Sequence, residues 1–177
     1  WDLIPVWSAS DNWNLGSPQP ALYHRLFYIG SGILTLVCGD ARLAVIVCIW
    51  LLLVLGAIGI YRAARWLGLP PGISVLSGVL LIFANYTCIE WLVRGAMAEL
   101  TAIMLMPWLL AALLKGIRRG KLGPGVPILL ALMYLSHQVM ALYMLILLLP
   151  VAAMILLWRR TWWRASWRSL LGGSIAG

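Results

Sequence analysis

The sequence predicts an all-α polytopic membrane protein, and three observations carry that prediction. Of its 177 residues 63% are hydrophobic and 10% charged, whereas a soluble domain carries about 25% charged residues. The apolar residues gather in runs on the scale of a bilayer crossing, which takes about 20 residues as a helix. The basic residues gather between those runs, the pattern of the positive-inside rule. That distribution accounts for the net charge of +8 without a nucleic acid partner, which we exclude.

Residues 1–20 read as a turn-rich outer loop. Pro and Gly punctuate them, Trp1, Trp7 and Trp13 suit a membrane–water interface, and Lys and Arg are absent. Residues 21–38 begin with His24 and Arg25, and their clean apolar part, Leu26 to Cys38, is short of a span. If both flanking loops lie outside, this stretch is an interfacial or re-entrant helix.

Residues 43–60 form the next membrane helix, ending at Tyr61-Arg62-Ala63-Ala64-Arg65. Pro70-Pro71 marks a turn, and residues 73–88 run outward. Residues 89–95 read as an outer loop before a membrane helix over 96–114, which carries Pro107 and ends at Lys115-Gly116-Ile117-Arg118-Arg119-Gly120-Lys121.

Val126 to Trp158 is apolar apart from Ser136-His137-Gln138. A single helix there would measure roughly 50 Å, against a hydrocarbon core of about 30 Å. The sequence therefore predicts a broken pair, 126–136 and 139–158, with His137 at the break. Residues 159–169 place Arg160, Arg164 and Arg168 on one face of a basic interfacial helix. Residues 170–177 read as the start of a further helix, so we expect the chain to be part of a longer one. In this topology 1–20, 39–42, 89–95 and 137 lie outside, and 62–71, 115–124 and 159–168 are cytoplasmic.

All five acidic residues (Asp2, Asp11, Asp40, Glu90 and Glu99) then share the outer side, which suggests a polar site there. A charge at membrane depth costs roughly 2.5–3.5 kcal/mol on insertion scales. Glu99, about one turn into an apolar helix, is therefore either paired structurally or functional. Glu90 and Arg94 stand at i, i+4 and suit a plain surface pair worth about 0.2–0.5 kcal/mol. Arg94 could instead bind phosphate through its fork of N–H donors. His137 either caps the helix break or serves the site. Asp2 and Asp11 are either solvated loop acids or ligands for a metal or a hydroxyl.

Cys38, Cys48 and Cys88 have no metal-ligand spacing and read as small buried hydrophobes. Nothing resembles a nucleotide site, a zinc site or a Ser/His/Asp triad. The sequon Asn85-Tyr86-Thr87 abuts the membrane, and we take it as chance.

Several of these segments together resemble a known family. Asp2-Leu3-Ile4-Pro5-Val6-Trp7, Asn14-Leu15-Gly16-Ser17-Pro18, Tyr61 to Arg65, Arg94-Gly95-Ala96-Met97-Ala98-Glu99 and Ser136-His137 occur in an order and spacing similar to bacterial polytopic proteins of the GT-C glycosyltransferase superfamily. Within it they resemble the membrane proteins called 6-pyruvoyl-tetrahydropterin synthase-related, a label that describes no demonstrated pterin chemistry. Val6 stands where that pattern has an arginine, and the superfamily's best-known catalytic carboxylate would precede Trp1.

The resemblance implies a GT-C-like helix bundle in the bacterial inner membrane that transfers a sugar from a polyprenyl-phosphate donor at the outer face. Glu99 and Asp2 would supply the catalytic carboxylates. Arg94, Glu90, His137, Asp11 and His24 would contact substrate, with a divalent metal ion or Arg94 meeting the phosphate. Membrane lipid, the lipid-linked sugar and further membrane subunits are the implied partners. The alternative is a non-catalytic membrane subunit or transporter-like protein that retains the fold.

Overall fold

The computed structural model describes residues 25–119, 123–146 and 150. The described residues are helical with no strand among them, so the expectation of an all-α membrane protein is met. The outer loop 1–20, the basic helix 159–169 and the segment 170–177 lie outside the described residues.

Helix α1 spans Leu26–Cys38. Its 13 residues reach about 20 Å, short of a hydrocarbon core. Gly39 ends it at φ 71, a left-handed conformation that favours glycine. Asp40 starts the next helix, its carboxylate accepting from the backbone N–H groups of Arg42 (2.7 Å) and Leu43 (3.0 Å).

Helix α2, Ala41–Leu67, is longer than the predicted span 43–60 that it carries. Charge ends a span but does not end a helix. Arg62, Ala63, Ala64 and Arg65 are good helix formers, so α2 continues to Gly68, which takes φ 90 ahead of Pro70 and Pro71. Pro71 opens α3, Pro71–Ile82, at a position where its missing N–H costs no hydrogen bond. After Phe83 and Ala84 come α4, Asn85–Cys88, and a π-helical turn, Ile89–Arg94. The loop expected over 89–95 is thus helical down to Arg94.

Helix α5, Met97–Arg119, runs unbroken through Pro107 and forms the centre of the bundle. It packs against α2, α1 and α6, the last spanning Gly125–Ser136. The predicted break is present: His137 is extended (φ −163, ψ 104), and residues 138–146 form α7. Ala141 and Met144 of α7 rejoin the cluster of Leu105, Leu109 and Met133. The second helix therefore comes back over the core that α6 covers.

Contacts at glycines give the helix directions. A Cβ on Gly56 would strike Met104, one on Gly59 would lie 2.6 Å from Trp108 Cδ1, and Gly68 faces Arg118. The paired numbers rise together, so α2 and α5 run parallel. Gly78 faces Ala57, so α3 returns antiparallel to α2. The indole N–H of Trp108 donates to the Leu55 carbonyl at 2.8 Å across the α2–α5 seam.

Three buried hydroxyls bond back to the carbonyls of their own segments. Ser74, Thr101 and Ser136 each donate to the carbonyl four residues earlier. Large apolar side chains such as Leu36, Val37, Leu80 and Phe83 are exposed, as lipid contact requires. The cysteines differ from expectation for that reason. Cys38 is exposed and Cys48 and Cys88 are half-buried, because apolar character here does not imply an interior position.

Among the described residues two helices, α2 and α5, are long and apolar enough to cross a membrane. The pair Pro71–Ile82 and Asn85–Arg94, bent by 40°, also qualifies when taken together as a broken span or re-entrant loop.

Candidate functional site

The site is built where the π-helical turn meets α5. A π turn holds more residues than an α turn, which rotates the side chains that follow it. Gly95 then takes φ 63, and the Ala96 N–H bonds back to the Glu90 carbonyl at 2.9 Å. The chain reverses there, and the first turn of α5 folds back over the face that carries Tyr86, Glu90 and Arg94.

Arg94 is the hub. Its Nη1 donates to Glu90 Oε1 at 2.5 Å, and its Nη2 lies 3.4 Å from Glu99 Oε2. The Tyr86 hydroxyl donates to the other oxygen of Glu99, Oε1. Both oxygens of Glu99 are therefore held, each by a different helical segment.

Exposure grades across the cluster. The Glu90 side chain is fully buried and that of Glu99 is 12% exposed, while that of Arg94 is 51% exposed. Tyr86 is also about half exposed, at 49%. The cluster is thus closed behind Glu90 and open along the Arg94–Tyr86 edge. Behind it, Glu90 Oε2 and Trp91 Nε1 are buried without a hydrogen-bond partner among the described residues.

Three predicted residues, Glu90, Arg94 and Glu99, are brought together. The Glu90–Arg94 pair exists, but it is no surface pair, because the Glu90 side chain is fully buried. His137 takes the capping position: its Nδ1 accepts from the Met140 N–H at 3.2 Å and starts α7. Asp2, Asp11 and His24 lie outside the described residues.

Tyr86 was not anticipated. Its signal was the spacing Tyr86, Glu90, Arg94, which is i, i+4, i+8 on one helix face.

Among the described residues no three His, Cys, Asp or Glu side chains are grouped to hold a metal ion. The guanidinium of Arg94 fills the place between the carboxylates that a cation would take. These residues do not fit a divalent ion.

Fold and site define a helical membrane protein with a carboxylate–arginine–tyrosine cluster set into its bundle. The chain belongs to the family described as 6-pyruvoyl-tetrahydropterin synthase related domain, a membrane protein family, whose model matches residues 25–173. No curated protein and no solved structure matches it.

Proposed function

We propose that this protein is a glycosyltransferase-like membrane protein. It would take a sugar from a polyprenyl-phosphate donor at the outer face of the bacterial inner membrane. The observation that carries the reading is Glu99, held by Tyr86 and Arg94 at the edge of an otherwise closed cluster. A positioned carboxylate is what deprotonation of an acceptor hydroxyl needs. Glu99 takes the hydroxyl proton, the oxygen forms a bond to the anomeric carbon, and the bond from that carbon to the phosphate oxygen breaks. Polyprenyl phosphate leaves with the bonding electrons.

The charge balance refines the roles. Glu90 and Glu99 outnumber Arg94, so the cluster favours a hydroxyl donor over a phosphate. The reading therefore places the acceptor at Glu99, with Arg94 orienting that carboxylate and turning its exposed edge towards substrate oxygens. Asp2 is the second proposed carboxylate, and Asp11, His24 and His137 are further proposed substrate contacts.

A second reading has its own support. Arg94 lies at ion-pair distance from both carboxylates, which also suits a structural cluster in a non-catalytic membrane subunit or transporter-like protein. The full chain in vesicles containing a radiolabelled polyprenyl-phosphate sugar separates the two. Release of polyprenyl phosphate that falls about 10²–10⁴-fold in Glu99→Gln supports the first reading. Release that is equal in the unmodified protein and the variant supports the second.

A further inference from the structure

The end of the bundle opposite the Glu99 cluster is an arginine-rich surface that the proposed chemistry does not use. Glu99 and Lys115 are 16 residues apart on α5, about 24 Å along the axis. Because α2 and α5 run parallel, both bring their basic last turns to the same end. Arg62, Arg65, Lys115, Arg118 and Arg119 are all exposed there.

The two helices exchange arginines across their seam. Arg62 of α2 lies over the Trp108 ring of α5 at 4.9 Å, and Arg119 of α5 lies over the Trp66 ring of α2 at 5.8 Å. Arg65 Nη1 donates to the Leu69 carbonyl at 2.5 Å, and Arg118 Nη2 approaches Gly68. A stacked guanidinium keeps its in-plane N–H edge for another acceptor. The ion pairs found among the described residues are both at Arg94, on the far side. Helix dipoles favour cations at these C-termini, but they supply only partial charges against several whole ones.

We propose that this end binds the phosphate of an anionic phospholipid, seated on the turn between α2 and α3 and held by Arg65, Arg118 and Arg119. A lipid suits the place better than free phosphate because the same turn borders exposed apolar side chains, Leu67 at 59%, Ile73 at 50% and Leu76 at 53%. The headgroup meets the arginines while the acyl chains lie along these side chains. The proposal stands independently of the glycosyltransferase reading.

The test uses the full chain in nanodiscs of equal phosphatidylcholine and phosphatidylglycerol, released for native mass spectrometry to weigh the retained lipid. Phosphatidylglycerol should be retained preferentially. The double variant Arg118→Gln/Arg119→Gln should lose that preference by roughly tenfold, with helicity by circular dichroism unchanged. Arg42→Gln, at the start of α2, serves as the control for lost charge and should keep the preference. A preference that survives the double variant, or falls equally in Arg42→Gln, overturns the site. Displacement by inorganic phosphate as readily as by phosphatidylglycerol overturns the lipid as its occupant. If the double variant unfolds, Arg65→Gln alone decides by the same measure: a lost preference supports the site and an intact one overturns it.

Discussion

Glu90 and Glu99 hold the same guanidinium from two sides, Glu90 through Arg94 Nη1 at 2.5 Å and Glu99 through Nη2 at 3.4 Å. Nine positions separate the two carboxylates in sequence, and only the reversal at Gly95 brings them together. Removing the central cation should therefore harm the fold as well as the site. Arg94→Gln leaves a buried carboxylate without its counter-charge, and such a group is strongly destabilising. The variant should unfold at a clearly lower temperature in detergent than the unmodified protein. Glu90→Gln combined with Arg94→Gln should recover most of the loss, since a neutral amide no longer needs the cation. A double variant as unstable as the sum of the two single ones would show that the residues do not act as a pair.

Gly95 makes the reversal possible. At φ 63 a side chain with a Cβ is strained, while nothing lies within 4 Å of the place a Cβ would occupy. The effect of substitution is then conformational and not steric crowding. Gly95→Ala should destabilise by about 1–2 kcal/mol, and Gly95→Asn by less, because Asn tolerates the left-handed region. Denaturation in mixed micelles measures both. Equal losses for the two would place the cause elsewhere.

The α2–α5 seam depends on close approach. A Cβ on Gly59 would lie 2.6 Å from Trp108 Cδ1 and 3.1 Å from Pro107 Cβ. Gly59→Ala should force Trp108 away from the Leu55 carbonyl and cost about 1–3 kcal/mol of stability, the range for overpacking. Gly72→Ala has no atom near the added methyl and serves as the control. Its stability should change much less in the same denaturation experiment.

Much of this architecture was legible in the sequence because hydrophobic length and charge placement are direct physical requirements of a bilayer. The apolar runs located α2 and α5, and Ser136-His137-Gln138 marked the break that the structure places at His137. What stayed hidden depended on three-dimensional closure. The meeting of Glu90 and Glu99 at Arg94 follows from one positive-φ glycine and a π turn, and neither has a periodic signature. Tyr86 sat on the right face but carried no charge to single it out. The continuation of α2 through Arg62 and Arg65 was hidden for a different reason: the end of an apolar run sets where a span stops, not where a helix does.

Tyr86 gives the sharpest test of how Glu99 works. Its hydroxyl donates to Glu99 Oε1, while Arg94 faces Oε2. Tyr86→Phe removes that donor and keeps the ring, so one carboxylate oxygen gains freedom while the ion pair remains. If Glu99 is the base, Tyr86 is a positioning residue. Its loss should then lower kcat for sugar transfer by roughly tenfold, well short of the ~10²–10⁴-fold expected for removing the base itself. KM for the donor should change little, because the phosphate end of the substrate lies away from this carboxylate in the proposed arrangement. A purely structural Tyr86 gives a different pattern: lower thermal stability with an unchanged kcat in the fraction that remains folded. Measuring kcat, KM and unfolding temperature on the same Tyr86→Phe preparation tells the two apart. A fall in stability alone would count against a catalytic Glu99.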